Sequence, residues 1–152
     1  MAKKNSKVAL DQDPTLSSQV GSSRKEKGSG QGSKNKELGR RGEEAAANFL
    51  ERNGFVILER NWTCFAGEAD IIASDGDVLI FVEVKTRRGI HKGFPSEAVN
   101  QKKRERYERI ALAYVQDNFY GEISVRFDVI SIVVMDSGQA MVRHHKNAFC
   151  AE

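Results

Sequence analysis

Apolar residues fall into two rhythms along this chain. From Leu38 to Leu50 they keep helical spacing, with Leu38, Gly42, Ala45, Ala46, Phe49 and Leu50 on one face. This predicts a helix from about Lys36 to Arg52, closed by Asn53-Gly54. A strand follows over Phe55 to Trp62, with Phe55-Val56-Ile57-Leu58 as its expected buried part. Next come Ala69 to Ile72 and Val78 to Lys85, two strands joined at Asp75-Gly76, where a tight hairpin turn needs positive φ. A second helix is expected from Pro95-Ser96 to about Asn118, with Tyr107, Ile110, Ala113 and Tyr114 as its apolar set. Ser124 to Val134 reads as a strongly apolar strand and Ala140 to His144 as a short edge strand. The order is αβββαβ(β), an α/β arrangement.

One strand breaks its own pattern. Successive strand residues face opposite ways, so Val78, Ile80, Val82 and Val84 share one face and Leu79, Phe81, Glu83 and Lys85 the other. Glu83 and Lys85 therefore stand side by side, with α-carbons roughly 6.5 to 7 Å apart. Burying a carboxylate and an ammonium at the end of an apolar run is costly unless something pairs with them. Across so short a hairpin a regular register brings Asp70 opposite the Glu83 end of the next strand, with Glu68 on the same face as Asp70. Carboxylates gathered this closely repel, and one of them is driven to bind a proton unless a cation is present. A hard divalent cation with oxygen ligands resolves the conflict, and the lysine can hold an anionic substrate beside it.

Two further charged sets lie near this pair. Glu43 falls at the border of the first helix's apolar face, whereas Glu44 points away; Glu43 is either a carboxylate favoured by the helix dipole or part of a site. Gly39 and Gly42 each weaken that helix by about 1 kcal/mol relative to alanine, and close approach by a neighbour or ligand is a motive for keeping them. On the second helix Lys103 and Arg106 share the face of the tyrosines, so that end either overhangs solvent or borders an anion-binding cleft. Asp128 interrupts an apolar strand beside Arg126, which makes a simple ion pair its first explanation.

Composition divides the 152 residues in two. Residues 1–36 hold few apolar side chains and read as a disordered basic tail, leaving 37–152 as a single domain. Eight cations against three acids give that tail +5, so with a total of +3 the remainder carries −2. The basic balance thus belongs to the tail and is no evidence for a nucleic-acid-binding fold. The tail's glycines follow no apolar strand and precede no Gly-Lys-Ser/Thr, so they are a linker rather than a phosphate loop. Neither a signal-peptide core nor a run of ~20 apolar residues is present, giving an expected cytoplasmic location without a membrane partner. Cys64 and Cys150 lack paired spacing, and His144 and His145 face opposite ways on a strand, so zinc and disulfide readings are set aside.

An acid on the first helix, Asp70 on one strand, Glu83-Val84-Lys85 on the next and a basic helix after them resemble the PD-(D/E)XK nuclease superfamily in its Holliday-junction-resolvase-like branch. More closely, Gly42-Glu43, Gly67-Glu68-Ala69-Asp70-Ile71-Ile72, Phe81-Val82-Glu83-Val84-Lys85-Thr86-Arg87 and Arg126-Phe127-Asp128-Val129 resemble the YraN family of largely uncharacterised bacterial proteins. The likeness spans about Leu38 to His144. Ala69 stands where the superfamily's name has proline, a position where that proline is often missing.

The resemblance implies a restriction-endonuclease-like core, a mixed β-sheet flanked by helices. It implies a metal-dependent endonuclease that hydrolyses DNA phosphodiester bonds, with structure-selective action on branched or flap DNA. Mg²⁺ or Mn²⁺ would be held by Asp70, Glu83 and the backbone carbonyl of Val84, with no small-molecule cofactor. Lys85 would activate water and stabilise charge on the phosphate, and Glu43 would join from the first helix. Arg87, Arg88, Lys102 and Lys103 would hold the nucleic-acid backbone, contacts that give affinity without sequence information. A homodimer would suit symmetrical junction cutting. The alternative is a catalytically idle nuclease-fold protein that binds nucleic acid or a protein partner.

Overall fold

A computed structural model of the chain describes residues 29–94, 99–119 and 121–149. Five strands form one mixed sheet in the order β1-β2-β3-β4-β5. β1 (Val56–Cys64), β2 (Gly67–Asp75) and β3 (Val78–Arg88) run as an antiparallel meander. β4 (Ser124–Val134) lies parallel to β3, and β5 (Ala140–His145) pairs antiparallel with β4. Parallel neighbours require a crossover, and α2 (Gln101–Asn118) supplies it. The other helix, α1 (Ser29–Arg52), covers the opposite face of the sheet. Among the described residues no helix is long and apolar enough to cross a membrane.

The alternation read along β3 divides the core. Ile80 and Val82 pack with Ala46, Ala47 and Leu50 of α1, while Leu79 and Phe81 pack with Tyr107, Ile110 and Tyr114 of α2. Gly42 is where α1 comes closest to the sheet. A Cβ placed there would lie 1.8 Å from Thr86 Oγ1, so only glycine permits this approach. Gly39 has no such neighbour; open space surrounds it.

Several element boundaries move from their sequence-based positions. The hairpin turn is Gly76-Asp77 rather than Asp75-Gly76, because Asp75 pairs with Val78 and Gly76 takes the first loop position at φ +58°. Two-residue turns with glycine first demand positive φ only there. α1 begins at Ser29, inside the segment assigned to the tail; extending a formed helix is far easier than starting one, and its first turns stay exposed. The tail reading of residues 1–28 lies outside the described residues.

α2 begins at Gln101, where the Asn100 side chain accepts the Lys103 N–H at 2.8 Å and caps the helix. The expected start at Pro95-Ser96 falls outside the described residues. Ala111 rather than Ala113 completes its buried stripe. Thr86 to Arg88, expected in a loop, continue β3 because β4 pairs with it through Arg88–Val134. Val56 and Leu58 are exposed, unlike Phe55, since β1 is an edge strand bulged between Ile57 and Glu59.

Candidate functional site

The β2–β3 ladder stops at Ile71–Val82, one step short of Asp70 and Glu83. Past that point Asp70 Oδ2 takes over from the backbone, accepting the Val84 N–H at 2.8 Å. In an extended strand the N–H and C=O of one residue point to the same edge, so the Val84 carbonyl faces the same gap. A break in the ladder thus places a carboxylate and a backbone oxygen together.

More acids converge on this gap. Asp70 is half-buried, and burial together with the charges of Glu83, Glu43 and Glu68 raises its carboxyl to about 7, despite the opposing Val84 hydrogen bond. That is the crowding anticipated from sequence. Glu43 arrives on α1 through the Gly42–Thr86 approach. Asn61 links Glu43 to Glu68: with its amide nitrogen turned to the acids it donates to Glu43 Oε2 and Glu68 Oε1, each at 3.1 Å. The opposite orientation would set the amide oxygen against two carboxylates. Asn61 occupies positive φ, +50°, a conformation asparagine tolerates better than most residues.

Glu83 is compensated from α2. Lys103 Nζ bonds Glu83 Oε1 as an ion pair, and the Tyr107 hydroxyl donates to Glu83 Oε2. Burial and the Glu83 charge push Tyr107 well above its ordinary range, so its proton stays in place for that bond. Lys85 shares Glu83's face, half-buried opposite Ser131 of β4. Two hollows flank the acids. One, about 610 Å³, runs along α1 and is lined by Lys36, Arg40, Glu43 and Asn61 among others. The second, about 330 Å³, is lined by Lys102, Lys103, Arg106 and Arg109 with Ala66 and Asn100.

The expected site residues are only partly gathered. Asp70, Glu83, Val84 and Glu43 meet, and Lys102 and Lys103 border the adjoining hollow. Arg87 and Arg88 are consecutive in β3, so they face opposite sides of the sheet and do not act on one surface. Among the described residues no three acids, histidines or cysteines form a ready metal cage. The donor chemistry nonetheless fits a hard cation: every donor is oxygen, and Asp70 is held back from ionising by burial and then by like charges. Sequence reasoning missed Asn61 and the polar role of Tyr107. A polar residue amid a strand and a tyrosine on the same helical stripe as Lys103 were the available signals.

Asp128 lies on the other face and is fully buried. Burial would raise its carboxyl, but His144, Arg126 and the Asn147 N–H outweigh that and hold it low. Arg126 bonds both of its oxygens at 2.9 and 3.0 Å, His144 Nε2 lies 2.8 Å from Oδ2, and Asn147 N donates at 2.9 Å. The ion-pair explanation of Asp128 holds.

The uncharacterised protein family UPF0102 matches residues 42–132, the span that contains Glu43, Asp70, Glu83, Lys85 and the whole of α2. A UPF0102 protein of Dictyoglomus thermophilum is 46% identical over 107 residues, covering 70% of this chain and 91% of the relative. One from Rhodococcus jostii is 43% identical over 112 residues, 74% of this chain and 95% of its own length. A third, from Geobacter sulfurreducens, is 44% identical over 115 residues, with 76% and 90% covered.

Proposed function

Since the chain belongs to the UPF0102 family, the family also called YraN, whose description assigns no chemistry, we propose from its site that it is a metal-dependent DNA endonuclease. The reading places it on a restriction-endonuclease-like core of the PD-(D/E)XK kind, with branched or flap DNA as the preferred substrate. One observation carries it: Asp70, Glu83, Glu43 and Glu68 converge where the β2–β3 ladder ends, and burial together with the neighbouring negative charges raises Asp70 to about 7.

Asp70, Glu83 and the Val84 carbonyl would hold Mg²⁺ or Mn²⁺. When bound, such an ion supplies Lewis acidity toward a phosphodiester oxygen and eases deprotonation of water. Lys85 Nζ orients the attacking water and stabilises the negative charge gathering on the phosphoryl oxygens. The water oxygen forms the new bond to phosphorus as the bond to the deoxyribose oxygen breaks, and that leaving oxygen takes up a proton. Asn61 keeps Glu43 and Glu68 in place through its paired hydrogen bonds. Lys102 on the α2 side holds the flanking phosphate backbone.

A specific observation favours a second reading. Glu83 is engaged by Lys103 and Tyr107, as it would be in a protein that binds nucleic acid or a protein partner without turnover. The test compares wild type with Glu83→Ala and Lys85→Ala on labelled duplex, flap and four-way-junction DNA, in Mg²⁺, Mn²⁺ or EDTA. Metal-dependent cleavage lost in both variants supports the nuclease. Binding without cleavage in any metal overturns it in favour of the idle form.

A further inference from the structure

Phe65 is 90% exposed, well beyond the next large apolar side chain among the described residues, Val56 at 59%. Single exposed apolar residues are ordinary, so exposure alone says little. Its position says more. Phe65-Ala66 is the entire connection between β1 and β2, a place where glycine, asparagine or aspartate would serve the turn better. The tip is also fixed against α2. Gly67 sits at φ +142°, and a Cβ there would meet Ile110 Cδ1 at 3.3 Å and Arg106 Cδ at 3.4 Å.

Cations surround the base of this tip. Ala66 lines the 330 Å³ hollow together with Lys102, Lys103, Arg106 and Arg109. Lys102, Arg106 and Arg109 follow i, i+4, i+7 spacing and so form one stripe of α2. Glu105 and Glu108 line a separate hollow with Arg109 and Leu112. Lys103 connects the hollow to Glu83, making one surface from the acids to the hairpin tip.

We propose that this surface binds an unpaired DNA base and its flanking phosphates: the Phe65 ring stacks on the base, and Lys102, Arg106 and Arg109 hold the backbone. The chemistry fits this occupant because an aromatic ring beside a cationic groove is how proteins hold single strands without reading sequence. A protein partner could also cover the ring, but it would have to match Lys102, Arg106 and Arg109 with acids at the same spacing, whereas the phosphates beside an unpaired base supply that negative charge at every nucleotide. The inference rests on the DNA-binding part of the proposed function and names the feature of branched DNA that is recognised.

The experiment measures binding in EDTA, by fluorescence anisotropy, of a flap DNA and a fully paired duplex to wild type, Phe65→Ala, Phe65→Trp and Arg106→Ala/Arg109→Ala. Wild type should prefer the flap, Phe65→Ala should lose roughly tenfold of that preference, and Phe65→Trp should keep it. Emission of the Phe65→Trp protein should fall on flap DNA more than on duplex. The double arginine variant should weaken both ligands alike and flatten the salt dependence by about two phosphate contacts. An unchanged flap-to-duplex ratio in Phe65→Ala overturns the inference, as does absence of binding to either DNA. Cleavage in Mg²⁺, assayed in parallel, separates the two claims. Cutting with an indifferent Phe65 leaves the nuclease standing, and flap preference without cutting leaves the stacking site standing.

Discussion

Asp70 and Asp128 are carboxylates on strands of one sheet, each accepting a backbone N–H, at 2.8 Å and 2.9 Å. Their surroundings send them in opposite directions. Asp128 meets Arg126 and His144 and is held below the ordinary carboxylate range. Asp70 meets three more acids and is raised to about 7. Burial is common to both, so it cannot be what distinguishes them. The difference lies in the company each was folded into: one network is electrically complete, whereas the other leaves negative charge for a ligand to balance.

That contrast can be broken in order of expected effect. Asp70→Ala should lower metal-dependent cleavage by a factor on the order of 10³, read in single-turnover assays, with little loss of folding. Asp128→Ala should do the reverse. It strands Arg126 and His144 and should cost about 3–5 kcal/mol in denaturant unfolding. If Asp128→Ala silences cleavage in a protein that remains as stable as wild type, the division into structural and functional acids fails.

α1 touches both groups, giving Glu43 to one and setting the Phe49 ring edge-on to His144 in the other. Gly42→Ala forces it off Thr86 and should cost roughly 2–3 kcal/mol, partly recovered in the Gly42→Ala/Thr86→Ala double variant. Equal losses in the two variants would mean that the clash is not the cause.

The smallest effect concerns pH. Folding raises Asp70 from 3.8 to about 7, so the folded state binds the extra proton between those values and stability falls as pH rises through that window. Asp128 is lowered by folding, so its contribution is present above its unfolded value and is lost as pH falls through the folded one. Asp70→Asn should therefore stabilise the metal-free protein at pH 8 by about 1–2 kcal/mol, after allowance for partial solvent access. The gain should vanish near pH 4. Thermal melts across pH check this, and an equal gain at both ends would refute it.

Much of this was written where charge interrupts an apolar run. Glu83, Lys85 and Asp70 announced themselves because a charge that closes an apolar strand is costly unless it is paired or bound. β4 was legible to its bounds, Ser124 and Val134, because a continuous β-rich stretch leaves no competing period. The Gly42 approach followed from a helix tolerating a glycine on its packing face. Other features depend on tertiary placement. That Lys103 and Tyr107 would meet Glu83 follows only once α2 crosses over β3, and the Asn61 bridge needs a positive-φ kink within β1. Asn100 as a helix cap was readable in principle, but Pro95-Ser96 offered an earlier and more conventional start. Arg87 and Arg88 were grouped as a loop, although strand alternation alone would have parted them.

The parallel pairing of β3 with β4 also bears on how the protein is made. β1, β2 and β3 are joined by short turns and can zip together from local contacts. Val78 and Ser124, by contrast, are partners 46 positions apart in the chain, the difference of their numbers. Closing that long loop before its contacts are rewarded is the slow part of such topologies. On a ribosome, the meander carrying Asp70 and Glu83 emerges well before β4, whose arrival seals the other side of β3. The carboxylate pair therefore spends part of its early life on an unfinished sheet, and Glu83 gains Lys103 and Tyr107 only once α2 has followed.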